Sequence, residues 1–155
     1  MKREIARPYP DGRCFYCGPD NAQGLGLRFY HDEATAETST EYLPEERFVG
    51  QGDILHGAIQ MGLLDELMGW ACYVHTGEMA VTTDMRFRFR RPLYIAGTPV
   101  RAACRVTGRD GPRVRMEAEL VDAAGVVCLT ATGTYHILPA ERFEAVVRAR
   151  PTGEG

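Results

Sequence analysis

Over residues 79–91 apolar and charged positions alternate, with Met85, Phe87 and Phe89 on one face and Arg86, Arg88 and Arg90 on the other. A period of two predicts a half-buried β-strand. A second alternation over 34–43 sets Ala34, Ala36, Thr38 and Thr40 against Thr35, Glu37, Ser39 and Glu41. Residues 25–31 read as the strand before it, joined through a His31-Asp32-Glu33 turn. Residues 98–109 and 112–122 flank Asp110-Gly111, a two-residue hairpin signal. Residues 126–138 follow another tight turn at Ala123-Ala124-Gly125. One long helix is predicted, from about 54 to 75, with Ile59, Leu63, Leu67, Trp70 and Val74 as its core stripe. Asp53 is its expected N-cap and Gly77 its expected stop. Residues 44–53 form a glycine-rich loop. Residues 1–23, with Pro8, Pro10, Gly12, Gly18 and Pro19, predict an irregular lead-in. Residues 140–155 predict a short C-terminal helix and a frayed tail. The helix is apolar nearly all round, as one enclosed by a sheet should be. The pattern predicts an α+β fold, a curved antiparallel sheet wrapped around one long central helix, in a single domain over 24–139.

Composition narrows the class. A chain of 155 residues holds one domain with a real core. No apolar run approaches the roughly 18 residues of a transmembrane helix, and none near the N-terminus resembles a secretory h-region. Five cysteines, an odd number, point to free thiols and a reducing, cytoplasmic setting. The net charge of −3 is unevenly spread: residues 86–115 hold 9 arginines against Asp110 alone. That block either attracts a polyanion or is a solvated strand face. Nucleic-acid modules place aromatics among the basic residues of one face, whereas Phe87 and Phe89 alternate away from the arginines, so no nucleic-acid partner is expected.

The candidate chemistry lies at the helix start, Ile54-Leu55-His56-Gly57-Ala58. A helix N-terminus offers free N–H groups to developing negative charge, and Gly57 has no side chain to block access to its amide. Asp65 lies among Leu63, Leu64 and Leu67, where a carboxylate is costly without a task. An oxyanion donor and a carboxylate base are the minimum kit for hydrolysing an activated acyl group. Eight residues of helix separate them by roughly 12 Å, but a base must come within about 3 Å of its target. One helix cannot serve one carbon with both groups. Two copies can, and Gly57, Met61, Asp65 and Cys72 lie near one line that is able to meet a twin. A homodimer with two shared sites is expected.

With His56-Gly57, the aspartate nine residues after the histidine, and Thr82 ten residues before Pro92, the chain resembles the hotdog-fold thioesterases, most closely the phenylacetate-pathway (PaaI-like) acyl-CoA thioesterases. The segment Cys14-Phe15-Tyr16-Cys17-Gly18-Pro19-Asp20-Asn21 looks like one branch of that family. The resemblance spans about residues 14–139 and implies acyl-CoA hydrolysis without a metal or redox cofactor. It implies that the Gly57 amide polarises the thioester carbonyl and that Asp65 of the partner chain acts as base or nucleophile. Thr82 would orient water or the carboxylate, and His56 would shape the carbonyl pocket. CoA would lie along the subunit interface of a dimer or tetramer, its phosphates near Arg86, Arg88, Arg90 or Arg91. Where relatives carry a second glycine this chain has Ala58. Where some carry an Asn or Gln it has Gly50, with Gln51 beside it. Met61 and Met68 are further substrate-side candidates, and Leu64, Trp70 and Tyr73 are apolar enough to wall an acyl channel.

Alternatives stand beside this reading. Glu66 is a rival base. The same fold can hold acyl-CoA without cleaving it, or carry a dehydratase that uses a histidine and an acid. Cys14-x-x-Cys17 invites zinc, but no second Cys or His pair lies at ligand spacing, so no metal is expected. Cys72, Cys104 and Cys128 read as core or interface residues.

Overall fold

The structure, a computed structural model, describes residues 1–8 and 11–148. Strands β1 (Lys2–Glu4), β2 (Tyr30–Asp32) and β3 (Glu37–Tyr42) precede the helix α1 (Gly57–Thr76). Strands β4 (Ala80–Phe89), β5 (Val100–Asp110), β6 (Arg113–Val121) and β7 (Val127–Ile137) follow, and α2 (Ala140–Arg148) closes the described chain. They form one seven-stranded sheet in the order β1-β2-β3-β5-β6-β7-β4, every neighbouring pair antiparallel. The sheet curves around α1, as the pattern predicted.

α1 buries Gln60, Leu63, Leu64, Leu67, Met68, Trp70, Ala71 and Cys72. This band is wider than the predicted stripe, because the sheet and the lead-in enclose the helix from two sides. Ile59 and Val74, expected at the stripe's ends, are only half-buried. Against the helix the sheet presents Cys104 of β5, Val114, Met116 and Leu120 of β6, and Leu129, Ala131 and Tyr135 of β7, all buried. On β7 Gly133 leaves room for Met68, since a Cβ there would lie 2.7 Å from Met68 Sδ. The chain before β2 covers the other flank: Phe29 stacks on Trp70 with ring centroids 5.0 Å apart, and the Tyr16 hydroxyl occupies the space a side chain at Gly62 would need.

Several boundaries differ from the sequence reading. The helix cap is His56, whose Nδ1 accepts from the Ala58 amide at 3.0 Å; Asp53 is three residues too early. Gly77, in the left-handed region at φ 74°, ends the helix as expected. The lead-in is not wholly irregular, since β1 pairs with β2. Residues 25–29 are not strand, and β2 starts only at Tyr30. The β2–β3 turn falls at residues 33–36, after the predicted His31-Asp32-Glu33. The β5–β6 hairpin pairs Asp110 with Arg113, so its turn is Gly111-Pro112, one residue later than predicted. Cys72 does not face a twin: it is fully buried toward the sheet. The alternation of β4 also breaks once. The register shifts between Thr82 and Asp84, leaving Thr83 as the extra residue of a β-bulge. Thr82 and Met85, three apart, therefore share the helix-facing side, opposite Tyr135 and Gly133.

Candidate active site

That bulge builds the site. A strand without it would point Thr83, not Thr82, toward α1. With it, Thr82 Oγ1 donates to Asp65 Oδ1 at 2.7 Å. Tyr135, opposite Thr82 on β7, brings its hydroxyl to the same Oδ1 at 2.5 Å and to the Asp65 carbonyl oxygen at 2.7 Å. Two hydroxyls thus clamp one carboxylate oxygen. Among the described residues nothing hydrogen-bonds to Oδ2, which is left to act on a substrate or a water. Burial, and then the charge of Asp65, push the Tyr135 phenol well above its ordinary value, so it remains a proton donor.

Gly57 lies at the other end of the same strand. The ring of Phe89, 53% exposed, sits 3.4 Å from where a Gly57 Cβ would be. The His56 side chain satisfies the Ala58 amide, and the His56 carbonyl accepts from Ile59 and Gln60. The Gly57 N–H makes no hydrogen bond with a described residue, so it is available to an anion. Asp65 and Gly57 thus both lie beside β4, at its Thr82 and Phe89 ends.

A family model of the thioesterase superfamily matches residues 52–129, the stretch from the loop before His56 into β7. The chain belongs to the thioesterase superfamily. Its fold is the hotdog arrangement of solved relatives. Protein RHA08564, a thioesterase superfamily protein, superposes with a TM-score of 0.73 at 20% identity, over 81% of this chain and 60% of the other. The E. coli PaaI protein from the phenylacetic acid degradation operon gives 0.66 at 19% identity, over 74% and 81%. A Streptococcus mutans protein solved with acetyl-CoA bound gives 0.61 at 14% identity, over 66% and 82%. At these identities the likeness carries the fold alone. No curated protein matches the sequence.

Within this thioesterase-superfamily chain the other predicted site residues disperse. Met61 lies on the helix face between Gly57 and Asp65, half-buried. Met68 is fully buried against Gly133, in the core rather than in a channel, and Leu64 is likewise buried. His56 is occupied by capping. Ala58 and Gln51 are exposed. Gly50 is the loop residue that abuts His56, since a Cβ there would lie 3.2 Å from His56 Cα. Arg86, Arg88 and Arg90 project from the sheet face opposite Asp65, along a cleft of about 450 Å³ shared with Arg105, Glu117 and Glu119. Within one protomer they do not converge on the carboxylate, because alternation sends them to the outer face. Arg91 follows the strand end and is exposed. Glu66 turns away from Thr82 and Tyr135, toward Cys14 and Trp70.

Sequence reasoning missed Tyr135. The only signal was its inward parity on β7, which says nothing about Asp65, 70 residues away. Tyr135→Phe is expected to lower stability by about 1.5–3 kcal/mol, the usual range for a lost hydrogen bond to a charged group. It should also cut turnover by roughly tenfold or more, which corresponds to about 1.4 kcal/mol in the barrier. Denaturation midpoints and kcat check both; a variant unchanged in either would remove Tyr135 from the carboxylate's support.

Proposed function

We propose that the protein hydrolyses an acyl-CoA thioester to the free acid and CoA in a homodimer with two shared sites. The observation that carries this reading is the pair of groups beside β4: Asp65, clamped through Oδ1 with Oδ2 free, and Gly57, with a free amide. β4 is the last strand of the sheet, ten residues long, with one side of its backbone unpaired among the described strands. An edge of that length favours pairing with another strand. Antiparallel pairing of two β4 strands about a two-fold axis near Met85 and Arg86 sets the Thr82 end of each against the Phe89 end of the other. Gly57 of one protomer then approaches Asp65 of its partner. The same registers set Asp84 opposite an arginine, 86 or 88, across the interface, a favourable cross-strand pair.

In this reaction the thioester carbonyl oxygen accepts from the Gly57 amide. Asp65 Oδ2 takes a proton from water as the hydroxide attacks the carbonyl carbon, or attacks that carbon itself. The C–S bond breaks, and CoA leaves as the thiolate and then takes up a proton; on the second route water then hydrolyses the acyl–Asp65 anhydride, releasing the acid and restoring the carboxylate. The acyl group occupies a cavity of about 500 Å³ that opens on Asp65, Thr82 and Tyr135 and is walled by Trp70, Tyr73, Met79 and Phe143. Aromatic and thioether walls suit an aryl or medium-chain acyl group. Arg91, just beyond the strand end that carries Phe89, is the arginine best placed along the chain for the CoA phosphates.

Thiol release from a panel of acyl-CoAs (phenylacetyl, benzoyl, short, medium and long chains) tests the reading. Turnover is expected, strongest for aryl or medium chains. Saturable binding with no released thiol from any member would instead make the protein an acyl-CoA binder.

A further inference from the structure

Outside the candidate active site, one side-chain cluster has no part in the chemistry above. Cys14, Cys17 and Glu66 each bring a ligand-type atom within 4.8 Å of the other two, in a half-buried position where the lead-in meets α1. Cys14 Sγ lies 3.5 Å from Glu66 Oε1. Around a tetrahedral zinc with Zn–S of about 2.3 Å and Zn–O of about 2.1 Å, neighbouring ligand atoms lie roughly 3.6–3.8 Å apart. We propose that Cys14, Cys17 and Glu66 form a zinc site that fastens the lead-in to α1, one residue beyond Asp65, with water as the fourth ligand.

The surroundings are those of a metal site. The residues from Cys14 to Cys17 form a tight turn closed by the Gly18 amide donating to the Cys14 carbonyl at 2.8 Å. A Cβ at Gly18 would lie 2.5 Å from the Cys14 backbone, so the turn has no room for another residue type. The Cys17 thiol and the backbone amides of Cys17 and Tyr16 point at Cys14 Sγ. Trp70 Nε1 donates to Glu66 Oε1 at 3.2 Å and fixes the carboxylate, as outer partners of metal ligands do. Arg7 braces the turn by donating to the Cys17 and Asp11 carbonyls. Charge closes as well. Two thiolates and a carboxylate against Zn²⁺ leave one negative charge, and the Arg7 guanidinium beside the turn offsets it.

A disulfide explains less. It would use Cys14 and Cys17 but leave Glu66, half-buried beside them, without a task. The thiolate pair selects zinc over magnesium or calcium. Binding would release the protons that the apo cluster holds.

The test is metal content and metal uptake of the reduced, untagged full-length protein. About one zinc per protomer is expected, as isolated or after titration against a competing chelator. Replacement by Co²⁺ should give intense visible bands and a thiolate-to-cobalt charge-transfer band. Cys17→Ser should abolish the charge-transfer signature of a two-thiolate site, and Glu66→Gln should weaken zinc affinity by about 100-fold or more, beyond the 10–100-fold typical of an outer partner. If the reduced wild-type protein takes up neither zinc nor cobalt, the proposal is overturned, whatever the variants do. Equal affinity in wild type and a folded Glu66→Gln would equally overturn it, since the carboxylate would then be no ligand. A Cys14–Cys17 disulfide found by mass, in a protein that binds no metal once reduced, would assign the pair to redox chemistry instead.

Discussion

Asp65→Asn is expected to lower kcat by about 10²–10⁴-fold, the range a positioned acid–base group contributes, while leaving a folded protein. The substitution is nearly isosteric. The amide oxygen can still accept from Thr82 and Tyr135, the two bonds that hold Oδ1 at 2.7 and 2.5 Å, so the local packing survives. What disappears is the charge and basicity at Oδ2, the atom with no protein partner among the described residues. Circular dichroism and size-exclusion elution should match the wild type, and KM should move little if Asp65 serves the transition state rather than ground-state binding. Full activity in a correctly folded Asp65→Asn would end the hydrolytic reading of this carboxylate. Glu66 could not take its place without rotating away from Trp70 and Cys14.

The second large effect comes from mixing two inactive proteins. Gly57→Val places a side chain over the amide that is to receive the oxyanion, next to the Phe89 ring. Alone it should be nearly inactive, as should Asp65→Asn. If each site joins Gly57 of one chain to Asp65 of the other, co-refolding the two variants gives mixed dimers with one intact site each. Random pairing in a two-fold dimer then restores about a quarter of wild-type activity. If both groups act within one chain, every site in every mixed dimer carries a lesion and no activity returns. The experiment therefore reads the sharing of the site and not merely the presence of a dimer.

Much of this was legible in the sequence because the governing signals are local. A 20-residue apolar helix, the paired long strands after it and the left-handed Gly77 stop are written in period and in glycine placement. The His56-Gly57 start and Asp65 were legible for a different reason: a carboxylate in an apolar helix asks for an explanation. What escaped the sequence depends on distant partners. β1 is three residues long and exists through its pairing with β2. The hydroxyl of Tyr135 meets Asp65 across 70 positions, and Cys14 meets Glu66 across 52. The bulge at Thr83 has no glycine to mark it, so the reading of β4 as strictly alternating was natural. The family resemblance points to Thr82, yet only the bulge explains why it reaches the carboxylate. The arginines were read correctly as one face of a strand, but parity could not tell which face the site would use.

That arginine face has a consequence for solubility. β4 runs ten residues without a proline, and its inner side carries Met85, Phe87 and the largely exposed Phe89. An unpaired edge of this kind is an aggregation hazard while a newly made chain has no companion. Parallel stacking in register, the usual geometry of amyloid, would pile Arg86 on Arg86, Arg88 on Arg88 and Arg90 on Arg90, and the repulsion would grow with each added chain. Antiparallel pairing with a single companion places Asp84 among the arginines and then stops. In the proposed dimer the same stripe would thus act as a gatekeeper, letting the edge close once and resisting its endless repetition.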